Sequence, residues 1–144
     1  MIVKIVSAKE LYPIRHEVLR PGKPISTTYY QKDTHVDTIH FAAYNQSIIC
    51  SIATFYPEFF KPVSSEKSYR LRGMATLSNH RRKGFGKVLM EDAIIYLKKI
   101  NCDLIWCKAR LNAIPFYKSL GFNIIGNIYE IEEIGPHYTM FKTL

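Results

Sequence analysis

Between residues 85 and 97 the apolar positions Phe85, Val88, Leu89, Ala93, Ile94, Ile95 and Leu97 recur at helical spacing, while Lys87, Glu91, Asp92, Lys98 and Lys99 fall largely off that stripe. The pattern predicts one packed amphipathic helix running from near Gly84 to about Ile100. Lys98 and Lys99 complement its negative dipole end, and Asn101 suits its exit. Leu11, Ile14, Val18 and Leu19 are spaced similarly near the start of the chain and predict a shorter helix, with Pro13 early in it, where proline is tolerated.

Alternating or short apolar runs elsewhere predict strands: IVKIV (2–6), TIHFAAY (38–44), SIICSIATFY (47–56), SYRLRGMATL (68–77), LIWCKA (104–109), IIGNIYEI (124–131) and YTMFK (138–142). The second and third flank Asn45 and Gln46 and form a hairpin, Asn45 being the residue that tolerates positive φ. In SYRLRGMATL the period of two puts Arg70, Arg72 and Met74 on one face and Tyr69, Leu71 and Gly73 on the other. NAIPFYKSLGF (112–122) is a helix with both ends marked: Asn112 as N-cap, Pro115 in the first turn and Gly121 at the left-handed exit. Residues 21–37 and 57–67 carry prolines and polar residues and read as loops, the first long enough to suggest a functional role. This order describes an α/β (α+β) chain with a mixed sheet, in a single domain over residues 1–144.

Apolar residues make up 47% and charged residues 22%, which excludes a disordered or fibrous chain. No apolar run approaches the roughly 20 residues of a membrane span, and the start lacks the pattern of a secretory signal, so no membrane partner and a cytoplasmic location are expected. Cys50, Cys102 and Cys107 are odd in number and stand at no zinc spacing; they read as reduced thiols, Cys50 and Cys107 in strand-like runs that suit a buried structural role rather than a nucleophilic one, and no metal is expected. The net charge of +8 points to an anionic partner, whether nucleic acid, acidic lipid or a phosphorylated small molecule.

The segment NHRRKGFG (79–86) narrows that choice. The first backbone N–H groups of a helix lack internal partners and sit at the positive dipole end, so they form an anion site. Gly84 and Gly86 let a phosphate approach the backbone, and Arg81, Arg82, Lys83 and Lys87 add positive charge. A flexible basic turn is the alternative. A Walker A loop fails, because Arg81 and Val88 stand where it needs other residues; a dinucleotide fingerprint fails at Leu89, where a third glycine belongs.

The order of strand YRLRGMATL, turn SNHRRKGFG, long helix, strand LIWCKAR and helix NAIPFYKSLGF resembles the core of the GNAT superfamily of acyl-CoA-dependent N-acetyltransferases, in a small single-domain form of bacterial type. Two motifs carry the resemblance: the Arg/Gln-x-x-Gly-x-Gly/Ala turn at Arg81 to Gly86, and Ala-x-x-x-Tyr-x-x-x-Gly-Phe at Ala113, Tyr117, Gly121 and Phe122. The family implies a sheet of about six to seven strands flanked by helices and splayed between the fourth and fifth. It also implies acetyl-CoA as co-substrate, a primary amine as acceptor and direct transfer in a ternary complex. A homodimer is possible.

Carried onto this chain, the resemblance makes the turn, Phe85 included, the seat of the CoA pyrophosphate. It makes Met74, Ala75 and Thr76 the backbone that holds the pantetheine arm and polarises the thioester, and Tyr117 the acid that protonates the leaving thiolate. A free thiol has a pKa of about 8.5 and a phenol about 10, so that donation is feasible. Asn112 is a further candidate for a cofactor contact, Arg110 standing where many relatives carry an Asn. Many relatives place a Glu on the central strand; here Arg70 and Arg72 occupy it, and none of His16, His40, His80 and His137 stands out as a base. Arg72 is a candidate to bind an anionic group on the acceptor, with solvent exposure or an internal ion pair as alternatives. His137, Tyr29, Tyr30, Phe59 and Phe60 are candidates to border the acceptor pocket, with core packing as the alternative for the aromatics. A second class stays open: a non-catalytic protein of the same fold that senses acyl-CoA or touches nucleic acid. No helix-turn-helix, RNA-binding aromatic signature or zinc finger supports a nucleic-acid partner.

Overall fold

Seven strands, β1 (Ile2–Val6), β2 (Ile39–Asn45), β3 (Ile48–Pro57), β4 (Ser68–Thr76), β5 (Leu104–Arg110), β6 (Asn123–Ile131) and β7 (Gly135–Thr143), form one sheet in the order β1-β2-β3-β4-β5-β7-β6 in the computed structural model, which describes residues 1–144. β4 and β5 run parallel, and every other neighbouring pair is antiparallel. The parallel pair needs a crossover, which α2 (Phe85–Lys99) supplies. The expected mixed sheet, opening between its fourth and fifth strands, is the one that forms.

The two faces are covered by different helices. On one, Leu89, Ala93 and Leu97 of α2 are fully buried in the main core with Phe55, Leu71, Ile105 and Cys107. Each such leucine contributes about 1.5–3 kcal/mol relative to an exposed one. On the other, Leu11 and Ile14 of α1 (Ala8–Ile14) pack on Ala42, Ile52 and Ala75. Pro13 is the sixth residue of α1, past the first turn, so it withdraws a backbone donor, and the chain passes directly into a π turn at Arg15–Leu19. Farther along this face Phe60 stacks on Trp106 with centroids 5.0 Å apart, so Phe60 belongs to the core, while Phe59 is 73% exposed.

Both helices after the turn end in the same way. Cys102 N–H donates to Leu97 C=O and Asn101 N–H to Lys98 C=O, with Asn101 at φ 67°; Phe122 and Gly121 repeat the pattern onto Tyr117 and Lys118 of α3 (Ile114–Ser119), with Gly121 at φ 89°. These are paired Schellman bonds, and they need a left-handed residue at those two positions.

Two local expectations are corrected. The hairpin's positive φ falls on Gln46, at 57°, because Asn45 is still held in the ladder opposite Ile48. Asn112 does not cap α3: it is exposed in a 3₁₀ turn, Leu111–Ala113, and Ala113 holds the cap position. The Leu111 carbonyl already accepts from the Ile114 N–H, so the entry to the helix is stabilised by backbone alone.

Candidate active site

β4 and β5 pair only at Ser68–Leu104, Tyr69–Ile105 and Arg70–Trp106. Beyond Arg70 they part, which leaves Leu71–Thr76 without a ladder partner on the β5 side and opens a wedge through the sheet. Within that stretch Gly73 and Met74 together stand opposite the single residue Ala53, between the pairs Arg72–Thr54 and Ala75–Ile52. This is a β-bulge, and Gly73 supports it with φ 67°.

The bulge inverts the alternation that the strand's sequence predicts. Arg70 and Arg72 stay on the α1 face, but Met74 moves to the α2 face and packs against the main core. A Cβ on Gly86 would lie 3.1 Å from Met74 Cε and 3.4 Å from the Phe116 ring, so the start of α2, the bulge and α3 converge at one end of the wedge.

The basic turn leads into that point. Arg82 (φ 59°) and Gly84 (φ 87°) are both left-handed and swing the chain into α2, whose first bond runs from Val88 N–H to Gly84 C=O at 3.0 Å. The N–H groups of Gly84, Phe85, Gly86 and Lys87 therefore precede the helical ladder. Arg81, Arg82, Lys83 and Lys87 are exposed around them, with Arg81 Nε tied to Thr76 C=O at 3.2 Å. Phe85 itself is buried, so it contributes its backbone to this surface and its ring to the core.

Across the wedge from the turn, Tyr117 is 6% exposed, in contact with Phe116 and Phe122 at centroid separations of 5.3 Å for each. Burial holds its pKa well above the ordinary phenol value, and the nearby Cys107 acts in the same direction. Tyr117 is consequently a neutral O–H donor throughout the neutral pH range. Cys107 is buried beside it, its thiol pushed up to about 12 by desolvation, which makes it inert rather than nucleophilic.

The Acetyltransferase (GNAT) family profile matches residues 8–122. The uncharacterized N-acetyltransferase YitI of Bacillus subtilis (strain 168) is 34% identical over 142 residues, covering 99% of this chain and 95% of YitI. This chain belongs to the GNAT acetyltransferase family. Its fold is shared with an aminoglycoside 6'-N-acetyltransferase solved in complex with coenzyme A (TM-score 0.79, 14% identity, 99% of this chain and 97% of that one). It is shared also with Arabidopsis thaliana NAA60 in complex with acetyl-CoA (TM-score 0.77, 13% identity, 99% and 98%). No helix of this GNAT domain is long and apolar enough to cross a membrane, and no cluster of three or more His, Cys, Asp or Glu could hold a metal ion.

On the opposite, α1 face, the GNAT domain carries a buried polar network that its sequence did not announce. Arg15 is 0% exposed and donates Nη1 and Nη2 to Asp33 Oδ2 and Oδ1 at 2.7 and 2.9 Å, with further bonds to Thr28 C=O (2.7 Å) and Thr54 Oγ1 (2.8 Å). His40 completes it: Nε2 lies 2.9 Å from the Asp33 carbonyl, which can only accept, so Nδ1 accepts from the Thr54 hydroxyl at 2.8 Å. That tautomer is neutral, and burial lowers the His40 pKa accordingly. The one available signal was Arg15 itself, which interrupts the Leu11–Ile14–Val18 stripe at a core-facing position.

The network holds Tyr30 over the bulge. Asp33 Oδ2 accepts the Tyr30 N–H at 2.9 Å, and the ring lies between two guanidiniums, Arg15 at 3.8 Å and Arg72 at 4.1 Å from its centroid. A Cβ on Gly73 would meet the Tyr30 hydroxyl at 3.1 Å, which is a second reason for glycine there. Arg72 therefore lies on the α1 face with Arg70, stacked on Tyr30. Tyr29 goes elsewhere: it packs on Tyr12 at 4.6 Å and lines a separate cavity of about 610 Å³ with His35 and His40, on the far side of the network. His137 is buried on β7 directly opposite Arg110, its Nδ1 2.8 Å from Gly135 C=O. Asn112 is exposed just past the end of β5.

Proposed function

We propose that this single domain of residues 1–144 transfers acetyl from acetyl-CoA to a primary amine by direct attack in a ternary complex. The observation that carries the reading is the wedge between β4 and β5, which opens beside the unpaired amides at the start of α2. A thioester arm entering there would find, on the β5 side of Met74, Ala75 and Thr76, backbone groups without a ladder partner, and a pyrophosphate would meet the amides and side chains of Arg81 to Lys87. Asn112 stands at the same rim for a further contact.

In the step itself the amine lone pair forms a bond to the thioester carbon, and the carbonyl oxygen takes up charge against a backbone N–H. The C–S bond then breaks, the departing sulfur receives the Tyr117 proton, and the extra proton on nitrogen leaves through water. Most of the acceleration comes from positioning and backbone polarisation. Because Tyr117 is a weaker acid than an ordinary phenol, its proton moves as the sulfur charge develops rather than before it.

The test is release of free CoA thiol from acetyl-CoA over a broad amine panel, with wild type beside Tyr117→Phe. Amine-dependent release that drops about 100-fold or more in the variant, with acetyl-CoA still bound, supports transfer and the acid role together. Tight CoA binding without acceleration by any amine would favour a sensing role instead.

A further inference from the structure

We propose that the acceptor is an amine that also carries an anionic group, held on the α1 face of the wedge by Arg72 of β4 and by Lys108 and Arg110 of β5. This rests on the acetyltransferase reading and names the class of its second substrate. Lys108 and Arg110 alternate with core-facing Cys107 and Ala109, so they share the face of Trp106, over which Arg70 lies at 5.0 Å. Arg72 points to the same side through its stack on Tyr30.

The charges on this face do not balance. Glu58, the carboxylate beside Arg70, is already shared between Arg70 and Lys32 at 3.3 Å each. Neither Arg72, Lys108 nor Arg110 takes part in a salt bridge; Arg110 has one backbone contact, from Nη2 to Leu19 C=O at 3.3 Å. Lys108 is pushed down in pKa by desolvation and then by the Arg70 and Arg72 charges, with Glu58 opposing them, while Arg110 is pushed down by burial and by Arg20. Desolvation is the larger cause in both, and the neighbouring cations add to it in the same direction. The second, smaller cavity, of about 200 Å³, continues the field: Arg20, Lys23 and Arg110 line it against the single carboxylate of Glu133.

Such a surface repels a polyamine and attracts a carboxylate or phosphate, which the planar Arg72 fork, pre-oriented on Tyr30, can bind through two parallel bonds. The amine end of the same molecule would then lie toward the bulge at Gly73, where the strands part.

The experiment measures kcat/KM by thiol release for matched amines: α-amino acids against their amides, O-phosphoethanolamine against ethanolamine, and spermidine as the polycation. The proposal expects the anionic member of at least one pair to be preferred by about tenfold or more, and the preferred pair separates a carboxylate from a phosphate acceptor. Arg72→Gln and, separately, Lys108→Gln should each erase most of that preference while leaving the KM for acetyl-CoA unchanged. Because Lys108 is exposed, its variant keeps the test alive if the Arg72 variant folds poorly. Equal or better use of the neutral amines or of spermidine overturns the proposal. Calorimetric titration with acetyl-CoA separates the two levels: bound acetyl-CoA with acetylation of neutral amines but of no anionic amine overturns this proposal alone, whereas failure to bind acetyl-CoA, or binding with no acetylation of any amine, overturns the function on which it rests.

Discussion

Replacing Arg15 by methionine would remove the centre of the buried network while keeping an unbranched apolar stem in the α1 stripe. Asp33, 7% exposed, would lose both guanidinium bonds and keep only the Tyr30 N–H; the Thr28 carbonyl, in a residue 1% exposed, would lose its 2.7 Å donor. A charge left without its partner in such a site costs about 3–5 kcal/mol. The intact pair is itself worth much less, because two ions were desolvated to make it and Arg15 Nε is buried without an acceptor. Adding Asp33→Asn should therefore recover a substantial part of the loss, since the amide oxygen still accepts from Tyr30 while the orphaned charge disappears. The assay is urea unfolding at neutral pH on four proteins in a double-mutant cycle. With a slope of roughly 2 kcal/mol per molar, the Arg15→Met midpoint should fall by about 1.5–2.5 M, and the coupling between the two sites should exceed about 1 kcal/mol. A single-variant loss below about 1 kcal/mol, or strict additivity, would refute the claim that Arg15 and Asp33 neutralise each other in the fold.

Gly86→Ala should leave thermal stability within a degree or two, because the gain in helix propensity of roughly 1 kcal/mol offsets a 3.1 Å contact with the mobile end of Met74, yet it should raise the acetyl-CoA Kd about tenfold by calorimetry. His40 has a folded pKa below its unfolded value near 6.5, so its contribution is complete above that pH and is lost as pH falls; melting curves between pH 5 and 7 should flatten in His40→Gln. Cys107 has the opposite sign: its thiol is raised from 9.0 to about 12, so stability should fall by about 1 kcal/mol between pH 9 and 10, and this slope should vanish in Cys107→Ala when denaturant midpoints are compared.

Much of the basic turn and its helices was legible because their determinants are local. A glycine before an amphipathic stripe, clustered cations, and Gly121 after Ser119 and Leu120 each specify their own backbone within a few residues, and the long helix, its turn and its exit formed where the periodicity placed them. Sheet class and element order followed from alternation in the same way. The face of Met74, the partners of Arg15 and the separation of Tyr29 from Tyr30 were not legible, because each depends on residues far apart in the chain. A one-residue bulge at Gly73 reverses every orientation beyond it, and although a glycine within a strand is a mark of a bulge, only pairing with β3 decides that one forms there. Arg15, Asp33, Thr54 and His40 come from four separate segments and become a network only when their burial leaves each of them no water to bond to. The sequence by itself thus determined the elements and the glycine-punctuated basic turn, whose physics is contained within a helix end. Tertiary structure alone decided which cations stand unpaired on the α1 face, since charge balance is a property of neighbours in space.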